Sequence, residues 1–109
     1  MPLISICIPA YQRVTYLQRL LESIRQQDYT DFEVLVSDDS RDDSVKDLVD
    51  QFGATLPIRY VKNAAPLGTP ANWNAAISQA TGAWIKLMHD DDWFSRPNAL
   101  SIFAKATSA

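Results

Sequence analysis

The sequence predicts one α/β domain in which a mostly parallel sheet carries helices on both faces. Four short apolar runs alternate with four segments whose apolar residues recur at helical spacing, an order typical of successive βα units. The first run, residues 3–8, is almost continuously apolar, which favours a strand covered on both faces. With 109 residues the chain has room for one domain, so residues 1–109 are expected to fold as a single unit.

The first half of the chain predicts two strands and two helices. Residues 3–8 form the first strand, which we expect to end at Pro9 because proline cannot donate to a sheet ladder. A helix then starts near Thr15, with an apolar face that comprises Leu17, Leu20, Leu21 and Ile24. Residues 32–38 form the second strand. Gly53 is expected to cap the second helix, whose apolar face comprises Val45, Leu48, Val49 and Phe52.

The second half predicts two more strands and two more helices. Residues 57–61 alternate in polarity and form a third, less buried strand, which is followed by a proline-containing loop over residues 62–70. Gly82 follows the third helix, whose apolar face comprises Trp73, Ala76, Ile77 and Ala80. The fourth strand covers residues 83–88, and its apolar sequence predicts that it is buried. The apolar residues that begin the last helix, with Pro97 suited to its first turn, are Leu100, Phe103 and Ala104.

Composition and charge exclude several classes of partner and location. The net charge is −3 and the ten basic residues are scattered, so no nucleic acid partner is expected. Cys7 is the one cysteine and lies inside the first apolar run, which predicts a buried, inert thiol. No segment approaches the roughly 20 apolar residues of a membrane span, and the start lacks a signal-peptide pattern. We therefore expect a cytoplasmic protein that is at most peripheral to the membrane.

The glycine and histidine content excludes several catalytic classes. The three glycines, at positions 53, 68 and 82, form neither a G-x-G-x-x-G fingerprint nor a Walker A loop. No strand ends in a G-x-S-x-G elbow, and one cysteine with one histidine cannot build a zinc cage. Dinucleotide-dependent hydride transfer, P-loop ATPase chemistry and serine hydrolysis are therefore excluded.

Acidic residues follow two of the predicted strands. Residues 90–92 are three aspartates that come directly after His89 at the end of the fourth strand, and Asp38 and Asp39 end the second. Adjacent carboxylates repel one another, so a fold that gathers them usually holds a cation. Mg²⁺ and Mn²⁺ suit such oxygens and typically bind one or two carboxylates plus substrate phosphates. Because ligands bind at the carboxyl ends of parallel strands, these residues predict a metal-and-nucleotide site.

Each candidate residue also has a purely structural interpretation. The run of turn-forming residues 37–44 could simply cap the second helix, and any one aspartate could be a turn residue. Tyr11 could stack on a base or cover the rim of the core. Arg13 could pair with phosphate or remain a solvated charge. Asn72 could mark an anion site at a helix start or act as a cap, and His89 could bind phosphate or metal or serve as a hydrogen-bonded spacer.

Four segments of the chain, in order and at matching spacing, carry a family resemblance. Residues 5–13 resemble a first-strand signature, and residues 26–40 resemble a turn leading into an acidic second strand. Residues 63–82 resemble the stretch that leads to a metal-binding strand, and residues 89–94 resemble a D-x-D segment. Together they resemble the inverting, GT-A-fold family 2 glycosyltransferases. The resemblance implies a Rossmann-like GT-A sheet, truncated after the metal-binding strand, with the acceptor-binding half absent.

The resemblance implies a role for particular residues. Pro9, Ala10 and Tyr11 would contact the base and ribose of a nucleoside-diphosphate sugar, with UDP or dTDP favoured. Asp39 would hydrogen-bond the base edge. Asp90 and Asp91 would contact the ribose and the metal ion respectively, with Mn²⁺ or Mg²⁺ bridging the diphosphate at Asp91.

Two positions depart from the family pattern. His89 stands where many members have the first acid of D-x-D, and Trp73 stands where many have an arginine. Arg13 and Asn72 complete the set of residues expected to bind the nucleotide, through contacts with phosphate.

The implied function is the donor half of an inverting sugar transferase. Family members place their general base, an aspartate or glutamate, beyond the metal strand, whereas no acidic residue follows Asp92 here. We therefore expect no catalytic residue in this chain and no sugar transfer by it alone. The full-length enzyme would act on a saccharide or lipid-linked acceptor. The surface that an acceptor half would cover is expected to drive self-association, most simply as a homodimer.

Two other functions are compatible with parts of the sequence. A sugar-nucleotide nucleotidyltransferase would use a related sheet, but such enzymes usually carry a glycine-rich phosphate loop, and residues 9–13 contain no glycine. A non-catalytic nucleotide-binding or assembly fragment is compatible with the missing acceptor half. Sugar transfer, pyrophosphate exchange and binding without turnover distinguish the three.

Overall fold

The computed structural model describes residues 3–108, which form one four-stranded parallel sheet with four helices. The strands are β1 (Ile4–Ala10), β2 (Phe32–Asp38), β3 (Ile58–Lys62) and β4 (Trp84–Leu87). The helices are α1 (Val14–Arg25), α2 (Ser44–Phe52), α3 (Ala71–Ser78) and α4 (Ala99–Ser108). The strand order is β3-β2-β1-β4, and every neighbouring pair is parallel. The α/β fold expected from the sequence is confirmed.

The register of the strands assigns alternate side chains to two different cores. Ile4, Ile6 and Ile8 of β1 lie in the larger core, which also contains the apolar faces of α1, α2 and α4. Cys7 points to the other face, where it packs with Leu35 and with α3 in a smaller core. Burial raises the pKa of the Cys7 thiol to about 11, which agrees with an unreactive side chain. Within residues 3–108 helices cover both faces, as predicted, with α1, α2 and α4 on one face and α3 on the other.

Pro9 does not end β1, contrary to the sequence-based expectation. The strand continues to Ala10, and Pro9 pairs in register with Ser37 of β2. The odd-numbered residues of β1 direct their backbone groups toward β4, as shown by the bond from the Met88 N–H to the Cys7 carbonyl. The absent N–H of Pro9 therefore faces a position beyond the end of β4, where no ladder bond is required.

β4 is a short edge strand, although its apolar sequence suggested burial. Its first two side chains, Trp84 and Ile85, are 46% and 44% exposed. Within residues 3–108, β4 pairs with β1 on one side and with no strand on the other. Apolar composition alone did not distinguish an edge strand from a central one, because strand order depends on contacts across the fold.

Two helix ends also differ from the sequence-based expectation. Gly53 follows α2 with a φ of −62°, so it does not adopt the left-handed conformation of a glycine cap. Pro97 precedes α4, and its carbonyl accepts a hydrogen bond from the Asp28 N–H in the segment between α1 and β2. No helix in the described part of the chain is long and apolar enough to cross a membrane.

A network around Glu33 closes the amino-terminal end of the sheet. The Glu33 carboxylate accepts hydrogen bonds from the Ser5 hydroxyl (2.6 Å) and from both the N–H and the hydroxyl of Thr81 (2.8 Å each). The Arg59 guanidinium lies 3.0 Å away. Desolvation opposes ionisation of this partly buried carboxylate, but the hydrogen bonds from Ser5 and Thr81, together with Arg59, outweigh it and lower the pKa of Glu33 to about 2.

The Glu33 network predicts a loss of stability in acid. Because the folded-state pKa of Glu33 is about 2, against 4.5 for the unperturbed group, its contribution is complete above pH 4.5 and disappears as the pH falls through 2. We expect Glu33→Gln to lower the free energy of unfolding by about 2–3 kcal/mol at neutral pH and by much less near pH 2. Urea denaturation across this pH range tests it, with Glu22→Gln on α1 as the control for net charge. If the difference in free energy of unfolding between Glu33→Gln and the wild type stays constant with pH, this account is wrong.

Candidate nucleotide- and metal-binding site

A pocket of about 450 Å³ opens at the carboxyl ends of β1, β2 and β4. All seven residues expected from the sequence to bind the nucleotide line it, namely Pro9, Ala10, Tyr11, Arg13, Asp39, Asn72 and Asp90. Asp91, the expected metal ligand, lies at its rim, with Oδ2 3.6 Å from the Arg13 guanidinium. The fold therefore brings together residues that are up to 82 positions apart in the sequence.

The two aspartates that end β2 point to different environments. The buried Asp38 accepts hydrogen bonds from the Tyr60 hydroxyl and from the Ser40 N–H, so it belongs to the framework. Burial and these interactions with Asp38 raise the pKa of Tyr60. Asp39 instead faces the pocket. Of this pair, only Asp39 is positioned to meet a ligand there.

Asp39 also anchors the loop that forms one wall of the pocket. Its Oδ1 accepts from Asn63 Nδ2 (2.7 Å) and the Leu67 N–H (3.0 Å), and its Oδ2 accepts from the Gly68 N–H (2.8 Å). Gly68 has a φ of +74°, a conformation that favours glycine. Desolvation opposes ionisation, but the three hydrogen bonds outweigh it and lower the pKa of Asp39. Among described donors Oδ2 accepts one bond, which leaves it a lone pair for a ligand.

The Asn72 side chain is engaged within the protein. Its Oδ1 accepts hydrogen bonds from the Ser37 hydroxyl (2.7 Å) and Asn63 Nδ2 (3.0 Å), and its Nδ2 donates to the Ala10 carbonyl (3.4 Å). The Asn72 N–H donates to the Gly68 carbonyl. Asn72 thus ties α3 to the ends of β1 and β2, and its direct contact with phosphate stays a prediction.

The three consecutive aspartates after β4 have three different environments. Asp90 is buried and accepts a hydrogen bond from the Tyr11 N–H, and burial raises its pKa despite that bond. Asp92 closes a turn, because its Oδ2 accepts the His89 N–H while its own N–H donates to the His89 carbonyl. The Asp91 side chain is 52% exposed. Asp92 is also exposed, but its carboxylate is engaged by the turn, whereas the Asp91 carboxylate faces Arg13 at the pocket rim and is accessible to a ligand.

The described residues contain no group of three or more His, Cys, Asp or Glu side chains placed to hold a metal ion. A divalent cation at Asp91 would therefore need ligands from a bound diphosphate and water. This fits Mg²⁺ and Mn²⁺, which commonly bind through one or two carboxylates together with substrate phosphates.

The two positions that depart from the family pattern contact each other. The rings of Trp73 and His89 meet edge to face, with centroids 4.7 Å apart and planes inclined by 63°. Both residues line the pocket. The two departures therefore form one aromatic contact between α3 and the end of β4.

Sequence reasoning missed one wall of the pocket and one basic residue. Pro66, Gly68 and Thr69 line the pocket from the loop before α3, and Arg41 lines it from the β2–α2 loop. The glycine and prolines of the first loop indicated a turn. Its position depends on hydrogen bonds to Asp39, which lies 24 or more residues away in the sequence.

This parallel sheet, with its pocket and acidic loop at the carboxyl edge, has the architecture of a glycosyltransferase of the GT-A fold. A fragment of TarS from S. aureus, solved in complex with UDP, superposes with a TM-score of 0.89 at 27% identity, covering 97% of this chain and 32% of that one. Residues 5–108 match the sequence model of the family "Glycosyl transferase family 2". The chain belongs to that family.

Two relatives indicate how much of a family member this chain represents. The abequosyltransferase RfbV of Salmonella typhimurium is 36% identical over 94 residues, which are 83% of this chain and 28% of RfbV. The GalNAc(5)-diNAcBac-PP-undecaprenol beta-1,3-glucosyltransferase of Campylobacter jejuni is 33% identical over 94 residues, which are 84% of this chain and 30% of that enzyme. The chain therefore spans less than a third of the length of either relative.

Proposed function

We propose that this chain is the donor-binding half of an inverting glycosyltransferase and binds a nucleoside-diphosphate sugar with Mn²⁺ or Mg²⁺. The observation that carries the proposal is the pocket at the carboxyl edge, where seven nucleotide-binding candidates meet next to the exposed carboxylate of Asp91. UDP or dTDP is the favoured nucleotide, and the TarS complex with UDP supports that choice.

Each part of the nucleotide has a proposed partner in the pocket. Asp39 accepts a hydrogen bond from the base edge through the remaining lone pair of Oδ2, and the half-exposed ring of Tyr11 stacks on the base. Asp90 meets the ribose from beside the Tyr11 backbone. The diphosphate then extends toward β4, where Asp91 and Arg13 lie.

The chemistry of the proposed reaction divides between this half and the rest of the enzyme. A bound divalent cation would neutralise the charge that develops on the departing nucleoside diphosphate. Asp91 would hold that cation, and the pocket would orient the donor. We assign the pocket residues and Asp91 to donor binding and assign no general base among them. The acceptor is a saccharide or a lipid-linked saccharide, which would bring a cytoplasmic enzyme to the membrane surface.

Calorimetric titration with a panel of nucleoside diphosphates, with and without Mn²⁺, tests the proposal. We expect UDP or dTDP to bind more tightly than CDP, and Mn²⁺ to strengthen binding. Asp39 is an acceptor, and uracil and thymine offer a ring N–H that cytosine lacks. Equal affinity for UDP and CDP would contradict the role of Asp39, and failure of every nucleotide to bind would contradict the function.

Removing the Asp39 carboxylate should weaken binding of UDP more than binding of CDP. Asp39→Ala leaves a donor on the base unpaired in the pocket, which costs about 1–3 kcal/mol of UDP binding energy. The substitution also removes three hydrogen bonds from the pocket wall, and that loss affects both nucleotides. The ratio of UDP to CDP affinity separates the two effects. Asp50→Ala, on the exposed surface of α2, is the matched control for charge.

We also propose that the 109-residue polypeptide self-associates through the outer edge of β4. An exposed strand edge is a template for pairing, and Trp84 and Ile85 add apolar surface beside it. We expect light scattering to show a dimer, and Ile85→Lys to shift the population toward monomer because a charge at an edge opposes pairing. A monodisperse monomer at high concentration would refute this expectation.

A further inference from the structure

Arg13 lies between the nucleotide pocket and the acidic loop after β4. Its side chain lines the pocket, and its Nη1 is 3.6 Å from Asp91 Oδ2. The Arg13 and Asp91 side chains are 58% and 52% exposed, so this ion pair is accessible to solvent. A pair of this kind is weak and can exchange partners readily.

The backbone holds Arg13 at the mouth of the pocket. Gln12 and Arg13 both adopt left-handed conformations, with φ of 53° and 44°, which residues other than glycine, asparagine and aspartate rarely adopt. The Gln12 N–H donates to the Ser40 hydroxyl (2.7 Å), which fixes this segment against the β2–α2 loop. Strained backbone of this kind occurs preferentially at functional sites.

A second arginine anchors the acidic loop independently of Arg13. Arg19 stacks between the rings of Tyr16 and Trp93, at 5.6 and 5.0 Å from their centroids, and donates a hydrogen bond to the Asp91 carbonyl (3.4 Å). Arg19 thus holds the main chain of the loop, whereas Arg13 pairs with the Asp91 carboxylate. Arg13 can leave the carboxylate without releasing the loop.

We propose that Arg13 is an exchanging partner of Asp91: it pairs with the carboxylate while the site is empty and moves to the diphosphate when a divalent cation takes its place. The cation needs the Asp91 carboxylate as a ligand, and the diphosphate needs a positively charged partner to balance its negative charge. Of the residues that line the pocket, the arginines are Arg13 and Arg41, and Arg13 is the one paired with Asp91. The exchange rests on the proposed nucleotide and metal site.

The exchange makes metal and nucleotide binding cooperative. A cation at Asp91 frees Arg13 for the phosphates, and phosphates that attract Arg13 free Asp91 for the cation. The factor by which UDP tightens Mn²⁺ binding must equal the factor by which Mn²⁺ tightens UDP binding. Part of this coupling factor therefore comes from Arg13, in addition to direct coordination of the metal by phosphate.

Arg13→Gln tests the exchange through binding alone. Free Mn²⁺ is measured by electron paramagnetic resonance with and without saturating UDP, and UDP binding is measured by calorimetry with and without Mn²⁺. In the variant, Mn²⁺ alone should bind about two- to fivefold more tightly, because an exposed ion pair of ordinary strength no longer competes. UDP alone should bind more weakly, and the coupling factor should fall by a similar two- to fivefold.

Two further variants separate exchange from a general effect of charge. Arg13→Lys keeps the positive charge and should retain most of the coupling. Arg25→Gln removes a positive charge from the exposed surface of α1, away from the acidic loop and outside the pocket lining, so the coupling factor should stay at the wild-type value. Should Arg13→Gln fail to fold, Arg13→Asn gives the same test, because asparagine tolerates the left-handed backbone.

Several outcomes would overturn the exchange. An unchanged coupling factor in Arg13→Gln, weaker binding of both Mn²⁺ and UDP alone to Arg13→Gln, or an equal fall of the coupling factor in Arg25→Gln would each do so. A wild-type chain that binds neither UDP nor Mn²⁺ would instead overturn the proposed function, and the exchange with it.

Discussion

Asp91→Ala is expected to abolish the enhancement of UDP binding by Mn²⁺ while leaving the fold intact. Loss of a residue that merely supports a metal ligand typically costs 10–100-fold in metal affinity, so loss of the ligand itself should cost at least about 100-fold. The Asp91 side chain is half exposed and its ion pair with Arg13 is long, so the free energy of unfolding should change by no more than about 0.5 kcal/mol. Calorimetry with and without Mn²⁺ measures the first effect, and urea denaturation measures the second.

Asp92→Asn is the matched control for this experiment. It removes a neighbouring negative charge, but an amide oxygen can still accept the His89 N–H that closes the turn. We expect Asp92→Asn to retain the Mn²⁺ enhancement. If Asp91→Ala and the wild type bind UDP equally well in Mn²⁺, the assignment of Asp91 as metal ligand is wrong.

Gly82→Ala is expected to cause a large loss of stability through a steric clash. A Cβ at this position would lie 2.7 Å from the Ser5 hydroxyl oxygen, 2.8 Å from the Ser5 backbone nitrogen and 3.0 Å from the Ile4 carbonyl carbon. Two of these atoms are backbone atoms of the central strand β1, so the contact cannot be relieved by rotating a side chain. The start of β4 would have to move away from β1, at a cost of about 1–3 kcal/mol or more.

Gly53→Ala provides the opposite case for comparison. A Cβ there meets the Asp50 carbonyl at 3.6 Å, an ordinary contact, and the backbone is right-handed. Alanine should be neutral or stabilise the fold by about 0.4–1 kcal/mol through a lower entropy of the unfolded chain. Thermal melts of the two variants should therefore shift differently, and equal shifts would contradict the steric explanation for Gly82.

Local sequence patterns predicted elements well where local forces decide them. The bounds of β2, Phe32–Asp38, were predicted to the residue, because an apolar run ends there in a series of turn formers. The prediction that β1 ends at Pro9 was wrong, because the effect of a missing N–H depends on which neighbouring strand that position of the backbone faces. The exposure of β4 was missed for the same kind of reason, since strand order is decided by contacts between distant segments.

The candidate site was predicted as a set of strand-end residues but not as a network. The fold rule for parallel sheets explains why Tyr11, Asp39 and Asp90 converge. Neither the anchoring of the wall loop by Asp39 nor the stacking of Arg19 on Trp93 could be derived from the sequence. Both contacts join segments that are distant in the sequence, and the relative orientation of these segments is known only once the whole fold is known.

The Glu33 network and the nucleotide pocket occupy opposite ends of the sheet. β1 has seven residues, so the two ends are about 20 Å apart along the strand. Substitutions that far apart usually have additive effects on stability. Directed evolution of the pocket toward another donor can therefore change Tyr11 or Trp73 without weakening the hydrogen bonds of Glu33. The stability that the Glu33 network contributes allows the fold to tolerate destabilising changes in the pocket.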